Sequence, residues 1–274
     1  MKAVDLVIRL LLLGGAAAFL LAWLMLWRRW RGGYALFIAA WAGVVGLIVY
    51  NGLVAGEPPL GNMYHVQVFL AACFLPLCGL LAWRARLAWL GHYFAFASAI
   101  PLIGAFFLDR DVVWRRMPAL QSSWFVPHVT SYMVSYSLAT VAFVLLVVRL
   151  AQARKLAPAD VARYDSAGYA VLRLAFPLLT FGMLSGALWA DEAWGGYWSW
   201  DPKETWSLIT WTLYLVYFHC RKSGDHRRWA NWAQGLAFAA LLTTFLLVNL
   251  LPKLASSLHS YAAQQMGPAT QRAE

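Results

Sequence analysis

Charge is scarce in this chain. Only 12% of its 274 residues are Asp, Glu, Lys or Arg, while 62% are apolar. With a mean hydropathy of +0.59, that balance excludes a soluble globular domain. Cysteine is equally sparse. Cys73, Cys78 and Cys220 are isolated and odd in number, so they form neither a disulfide framework nor a Cys-x-x-Cys pair and read as buried small hydrophobes. No Cys-x-x-Cys-His stretch occurs, which excludes a chain that itself carries c-type haem. Internal repeats and low-complexity tracts are also absent.

What the sequence does have is long apolar runs. Stretches of the length that crosses the hydrocarbon layer as helix recur at roughly 6–27, 34–53, 63–83, 89–108, 126–148, 170–189, 205–220 and 231–251. The first lacks a clear small-residue cleavage site and is followed by further runs, so it does not read as a signal peptide. Backbone groups in lipid must be satisfied within the segment, so the fold class expected is an all-α integral membrane protein of about eight transmembrane helices. A single polytopic domain is expected over 1–265, with 266–274 as a disordered polar tail.

The formal charge of +10 raises nucleic acid as a partner, but its placement argues for topology. With eight spans, one side collects Arg28, Arg29, Arg31, Arg84, Arg86, Arg149, Arg154, Lys155, Arg163, Arg173, Arg221, Lys222, Arg227 and Arg228. The other collects Lys2, Arg110, Arg115, Arg116, Lys203, Lys253 and Arg272. The positive-inside rule places the poorer side, with both termini, outside. Anionic lipid rather than nucleic acid is the partner this basicity implies. The external connections are then the turn-rich Gly56–Asn62 and the segment 109–124, which holds Arg110, Arg115 and Arg116. On the inner side, the mixed charge and alanines of 150–169 predict a short surface helix.

Six of the 16 tryptophans lie between Trp189 and Trp211, and the external segment 189–206 is the densest part. It contains Trp194-Gly-Gly-Tyr-Trp198-Ser-Trp200-Asp201-Pro202-Lys203-Glu204-Thr205-Trp206. Trp194, Trp198 and Trp200 cannot share one helical face, so a loop or short interfacial helix is expected there. Gly195 and Gly196 permit close backbone approach. Asp201, Pro202 and Glu204 have the spacing of a capping box that opens the seventh span. An aromatic belt explains isolated interfacial tryptophans but not this clustering, which reads as a wall for something large, flat and partly apolar.

Topology sorts the histidines. His128 at the start of span five and His259 after span eight fall on the tryptophan face. Together they could ligate a haem iron, bind zinc with ligands yet to be found, handle protons, or be simple interfacial residues. A porphyrin would let the tryptophans pack its ring and let Arg110, Arg115 or Arg116 pair with a propionate. His219 lies at the inner end of span seven, a helix length away from that face. It is an interfacial residue or a ligand to a different group. His226 reads as solvated, while His65 and His92 fall in no recognisable pattern.

The stretch at 194–206 resembles the tryptophan-rich signature of the cytochrome c assembly family, and its Trp-Asp-Pro-Lys-Glu-Thr-Trp form is similar to the CcsA/ResC branch of system II cytochrome c biogenesis. The likeness extends through Ala119–His128, Tyr217–Arg221, Val248–Leu251 and Leu258–Tyr261, with a fainter match at Glu57–Tyr64. The resemblance implies a haem-handling protein of the bacterial cytoplasmic (inner) membrane with its haem-presenting face periplasmic. By the same resemblance, His128 and His259 would ligate the iron of haem b at the external face. Trp194, Trp198, Trp200 and Trp206 would form its shelf, and Asp201 would help to position it. His219 would belong to a second, membrane-embedded haem whose opposing ligand comes from a CcsB/ResB-type partner. His65 stands where the family usually has an acidic residue, and it remains open as a local ligand or variant contact. His92 is an alternative in-chain partner for His219.

The chemistry implied is that of the membrane component of a holocytochrome c synthase, presenting haem to an apocytochrome c Cys-x-x-Cys-His segment for thioether formation. The chain's share would be positioning rather than acid–base work. The rival readings are a membrane electron carrier with two haems, a haem exporter without ligase activity, and a structural subunit without cofactor.

Overall fold

The computed structural model describes residues 2–56, 58–108, 122–222 and 227–250. Among them the regular structure is helical: α1 (Lys2–Trp27), α2 (Gly33–Ala55), α3 (Met63–Ala85), α4 (Gly91–Phe106), α5 (Phe125–Ala151), α6 (Pro158–Trp194), α7 (Pro202–Lys222) and α8 (Arg227–Leu242). A short 3-10 turn, Ala88–Leu90, leads into α4. Beyond α8 the chain passes through a π-helical stretch, Thr243–Leu247, to Val248–Leu250.

Each apolar run therefore becomes a helix, but seven segments, not eight, are long and apolar enough to cross a membrane. The exception is α7. Its buried residues are Ser207, Thr210, Tyr214 and Tyr217, all hydroxyl-bearing, and this polarity lowers its hydropathy. A second difference concerns the inner side. The separate surface helix expected within 150–169 is instead the opening of α6, which runs unbroken for 37 residues. At 1.5 Å per residue that is about 56 Å. Pro158 begins the helix at the position where a missing N–H costs nothing, and no breaker separates residues 158–169 from the apolar run. Pro177 lies inside α6, as membrane helices tolerate when neighbouring groups satisfy the freed backbone.

Helix ends follow local chemistry. The Asn62 side chain accepts the His65 backbone N–H at 2.9 Å and so starts α3. Gly56, at φ 70°, closes α2 in the left-handed conformation.

Packing resolves two compact units. The first holds α1–α4 with Met133–Ala175. In it, α1 lies along α2 and α4, and α3 along α4, around Phe19, Phe37, Tyr64, Phe74 and Phe94, which are fully buried. Arg149 and Asp165 form an ion pair at 3.0 Å with side chains 8% and 7% exposed. Beside this pair in sequence, Tyr164 shares a 2.7 Å hydrogen bond with Tyr93, and Arg163 lies over the Trp89 ring at 4.4 Å. The second unit holds the start of α5, to Tyr132, and the chain from Phe176 onward. There α7 packs on α8, and Trp211 stacks on Phe176 while donating its indole N–H to the Thr180 hydroxyl at 2.9 Å.

Candidate functional site

Within the second unit, the first two turns of α5 meet a notch in α6. The notch is made by Gly182 and Gly186, one helical turn apart. A Cβ on Gly186 would lie 2.6 Å from His128 Cε1, and one on Gly182 would lie 3.1 Å from Tyr132 Cγ. Glycine at these two places is what lets the rings approach the α6 backbone.

Seated there, His128 Nδ1 is 2.7 Å from the Gly182 carbonyl oxygen. A carbonyl can only accept, so Nδ1 carries the proton and the ring lone pair belongs to Nε2. A backbone carbonyl that fixes tautomer and ring direction is the usual support of a metal-ligating histidine. Trp189, buried, lies against the imidazole with ring centres 5.4 Å apart and planes 32° apart. Tyr132 meets the same imidazole edge-on at 4.9 Å. Trp194 then packs on Trp189 at 5.0 Å, and Phe125 packs on it at 5.5 Å.

The tryptophan segment is divided between elements rather than forming one loop or interfacial helix. Trp189 and Trp194 belong to the end of α6, Trp198 and Trp200 to a non-helical link, and Trp206 to α7. Gly195, at φ 77°, turns the chain out of α6, and its N–H donates to the Asp191 carbonyl at 2.8 Å. Across the link, the Glu204 carboxylate accepts the backbone N–H groups of Ser199 at 2.7 Å and Asp201 at 3.3 Å. In return, Asp201 Oδ1 accepts the Glu204 N–H at 2.8 Å. The capping box read from the sequence is therefore present, with Glu204 also gathering the end of the link. Between these bonds Trp200 is held at φ 61°, a left-handed conformation that a bulky residue rarely adopts, and its side chain is 68% exposed. Trp198 meets it edge-on at 5.8 Å, and the Trp198 indole N–H is buried with no acceptor among the described residues. Hydrogen bonding to the Asp191 carboxylate raises the pKa of the Tyr197 phenol, which lies in the same link.

The structure thus brings His128 together with Trp189 and Trp194, and places Trp198, Trp200 and Asp201 on the link that follows. Trp206 is half-buried in the first turns of α7. His219 is exposed in the last turn of α7. His65 is buried at the start of α3, and His92 is half-buried against Tyr93, with ring centres 3.9 Å apart. Glu57, Arg110, Arg115, Arg116, His226, His259 and the tail from 251 lie outside the described residues. Among those described, no group of three or more His, Cys, Asp or Glu stands ready to hold a metal ion. Sequence reasoning passed over Gly182, Gly186, Tyr132 and the direct role of Trp189. The available signal was Gly182-x-x-x-Gly186, a spacing that marks close approach in membrane helices.

The profile of the family described as Cytochrome C assembly protein matches residues 60–256. A cytochrome c biogenesis protein CcsA from Mesostigma viride is 33% identical over 264 residues, covering 80% of this chain and 85% of the relative. The protein of that name from Guillardia theta is 34% identical over 262 residues, covering 84% and 85%. That from Synechococcus sp. (strain JA-2-3B'a(2-13)) is 32% identical over 299 residues, covering 84% of each.

Proposed function

The chain belongs to the cytochrome c assembly protein family, and from that premise we propose that it presents haem b at the external face of the membrane for covalent attachment to apocytochrome c. The observation that carries this reading is the His128 ring, held in the Gly182/Gly186 notch with Nδ1–H on a carbonyl and the lone pair on Nε2. His259, beyond α8, is the second proposed iron ligand.

The residues present suit haem as the substrate. Trp189 and Trp194 offer apolar faces beside the ligand histidine. The buried Trp198 indole N–H needs an acceptor, and a propionate carboxylate is one. Haem supplies two vinyl groups, each of which takes a cysteine sulfur on one carbon and the thiol hydrogen on the other. The chain's own work is to hold His128 in one direction, to shelve the ring on tryptophan, and to turn Trp200 outward where a polypeptide can meet it. Pairing of Arg110, Arg115 or Arg116 with a propionate belongs to the same proposal. So does His219 as ligand to a second haem shared with a CcsB/ResB-type partner, and so does a periplasmic site on the bacterial cytoplasmic membrane.

The test is absorption of the purified protein, followed by co-expression with a CcsB/ResB-type partner and an apocytochrome. His128→Ala and His259→Ala should each weaken the b-type spectrum, and the double variant should abolish covalent haem on the apocytochrome. Unchanged haem stoichiometry in the double variant would sink the ligand assignment. Normal haem binding with no effect on covalent attachment would favour an electron carrier.

A further inference from the structure

At one end of the first unit, two tight turns carry arginine in the left-handed position. Arg29 (φ 57°) follows α1 and Arg86 (φ 54°) follows α3. Apart from Trp200, the other left-handed residues described are glycines: Gly32, Gly56 and Gly195. Glycine adopts this conformation without steric cost and arginine does not. Backbone bonds hold both turns. Trp30 N–H donates to the Met25 carbonyl at 2.8 Å, and Leu87 N–H donates to the Leu81 carbonyl at 3.1 Å. Arginine kept at both places against the backbone's preference points to a task for its guanidinium.

The two turns are neighbours. Tyr34, in the first turn of α2, donates its hydroxyl to the Ala88 carbonyl at 2.9 Å, and Gly91 leaves the space its ring needs. Arg28, Arg31 and Arg84 are exposed on the same turns, with Trp27, Trp30 and Trp83 at 54%, 56% and 79% exposure. No Asp or Glu occurs between Asp5 and Glu57, nor between Glu57 and Asp109. The helices that carry these turns therefore offer the guanidinium groups no carboxylate at this end.

We propose that this end of the first unit is a binding site for the phosphate of an anionic phospholipid, gripped by Arg29 and Arg86. Guanidinium groups match phosphate oxygens two at a time, whereas a single ammonium does not. The occupant is a lipid because all four helices that bear the turns are apolar enough to span a membrane, and exposed tryptophans at their ends mark headgroup level. General attraction of basic residues to an acidic leaflet would not require charge on strained backbone. A site with fixed direction does.

The experiment uses the full chain in phosphatidylcholine nanodiscs containing a few mole per cent phosphatidylglycerol or cardiolipin, with retained acidic lipid counted by native mass spectrometry. Arg29→Gly/Arg86→Gly removes both charges and the backbone cost together, so its melting temperature in pure phosphatidylcholine should hold or rise. Its affinity for acidic lipid should fall about 30-fold, equivalent to roughly 1 kcal/mol per basic residue near the surface. Arg154→Gln/Lys155→Gln removes the same charge from the turn between α5 and α6, and screening should limit its effect to less than about threefold. Equal losses in the two double variants would reduce the finding to general electrostatics and overturn the proposal, as would no loss in the first.

Discussion

Two polar pairings join α5 to α6, and they are built differently. Arg149 and Asp165, in the first unit, bury two opposite charges against each other. His128, in the second, sets one ring nitrogen on the Gly182 carbonyl and keeps its remaining lone pair on Nε2. Around the ion pair, aromatic hydroxyls and guanidinium groups find protein partners, as Tyr93 with Tyr164 and Arg163 with Trp89 show. Around the histidine, the chain accepts a left-handed tryptophan and a buried indole N–H with no acceptor among the described residues. Where polar groups serve the fold, the fold satisfies them. Where they serve a ligand, the ligand is left to complete them.

The largest expected effect tests the ion pair. Asp165→Ala should cost about 3–5 kcal/mol in detergent unfolding, because it strands a buried guanidinium. Arg149→Met/Asp165→Leu should recover most of that loss. If the single variant unfolds like the native chain, the pair is not a fold-holding element and the contrast fails.

Next is the notch. Gly186→Ala forces a Cβ to within 2.6 Å of the imidazole and should cost about 1–3 kcal/mol by overpacking. It should also weaken b-type absorption in the fraction that still folds. Gly182→Ala, with its nearest contact at 3.1 Å, should do both to a smaller degree. A destabilised Gly186→Ala with native absorption would show that the notch serves packing alone.

Trp200→Gly separates stability from function in the opposite sense. It relieves the left-handed backbone and should stabilise the chain by about 1–2 kcal/mol, while covalent haem on the apocytochrome falls. A gain on both readouts would remove Trp200 from the site. The smallest effect is expected from Asp201→Ala, about 1 kcal/mol through the lost cap of α7. Its thermal midpoint should therefore drop slightly, and a larger drop would mean that the whole link depends on that cap.

Much of this was legible in the sequence, and the exceptions have physical causes. Apolar runs become helices because lipid leaves the backbone no other partner, and the Asp201/Glu204 spacing became a capping box because three residues is the reach the two side chains need. The length of α7 suggested a span, but its hydroxyl-bearing face does not meet the hydropathy of one. The charges at 158–169 suggested a separate helix, yet charge alone does not stop a helix when no glycine or proline breaks it. The pattern Gly182-x-x-x-Gly186 promised close approach without naming what approaches, since only folding brings His128 beside it. Arginine in left-handed turns contradicts the rule that assigns such places to glycine, so no pattern in the sequence announces Arg29 or Arg86.

The placement of Trp189 against His128 has an optical consequence. An indole packed beside a proposed iron ligand emits into the absorption bands of haem at very short range, so arrival of the cargo should darken it. Trp194 and the pair Trp198 and Trp200 follow in the same stretch of chain. The protein therefore carries its own gauge of loading, readable by ultraviolet light without any added label, and Trp189→Phe should remove the part of that signal that reports most directly on the histidine.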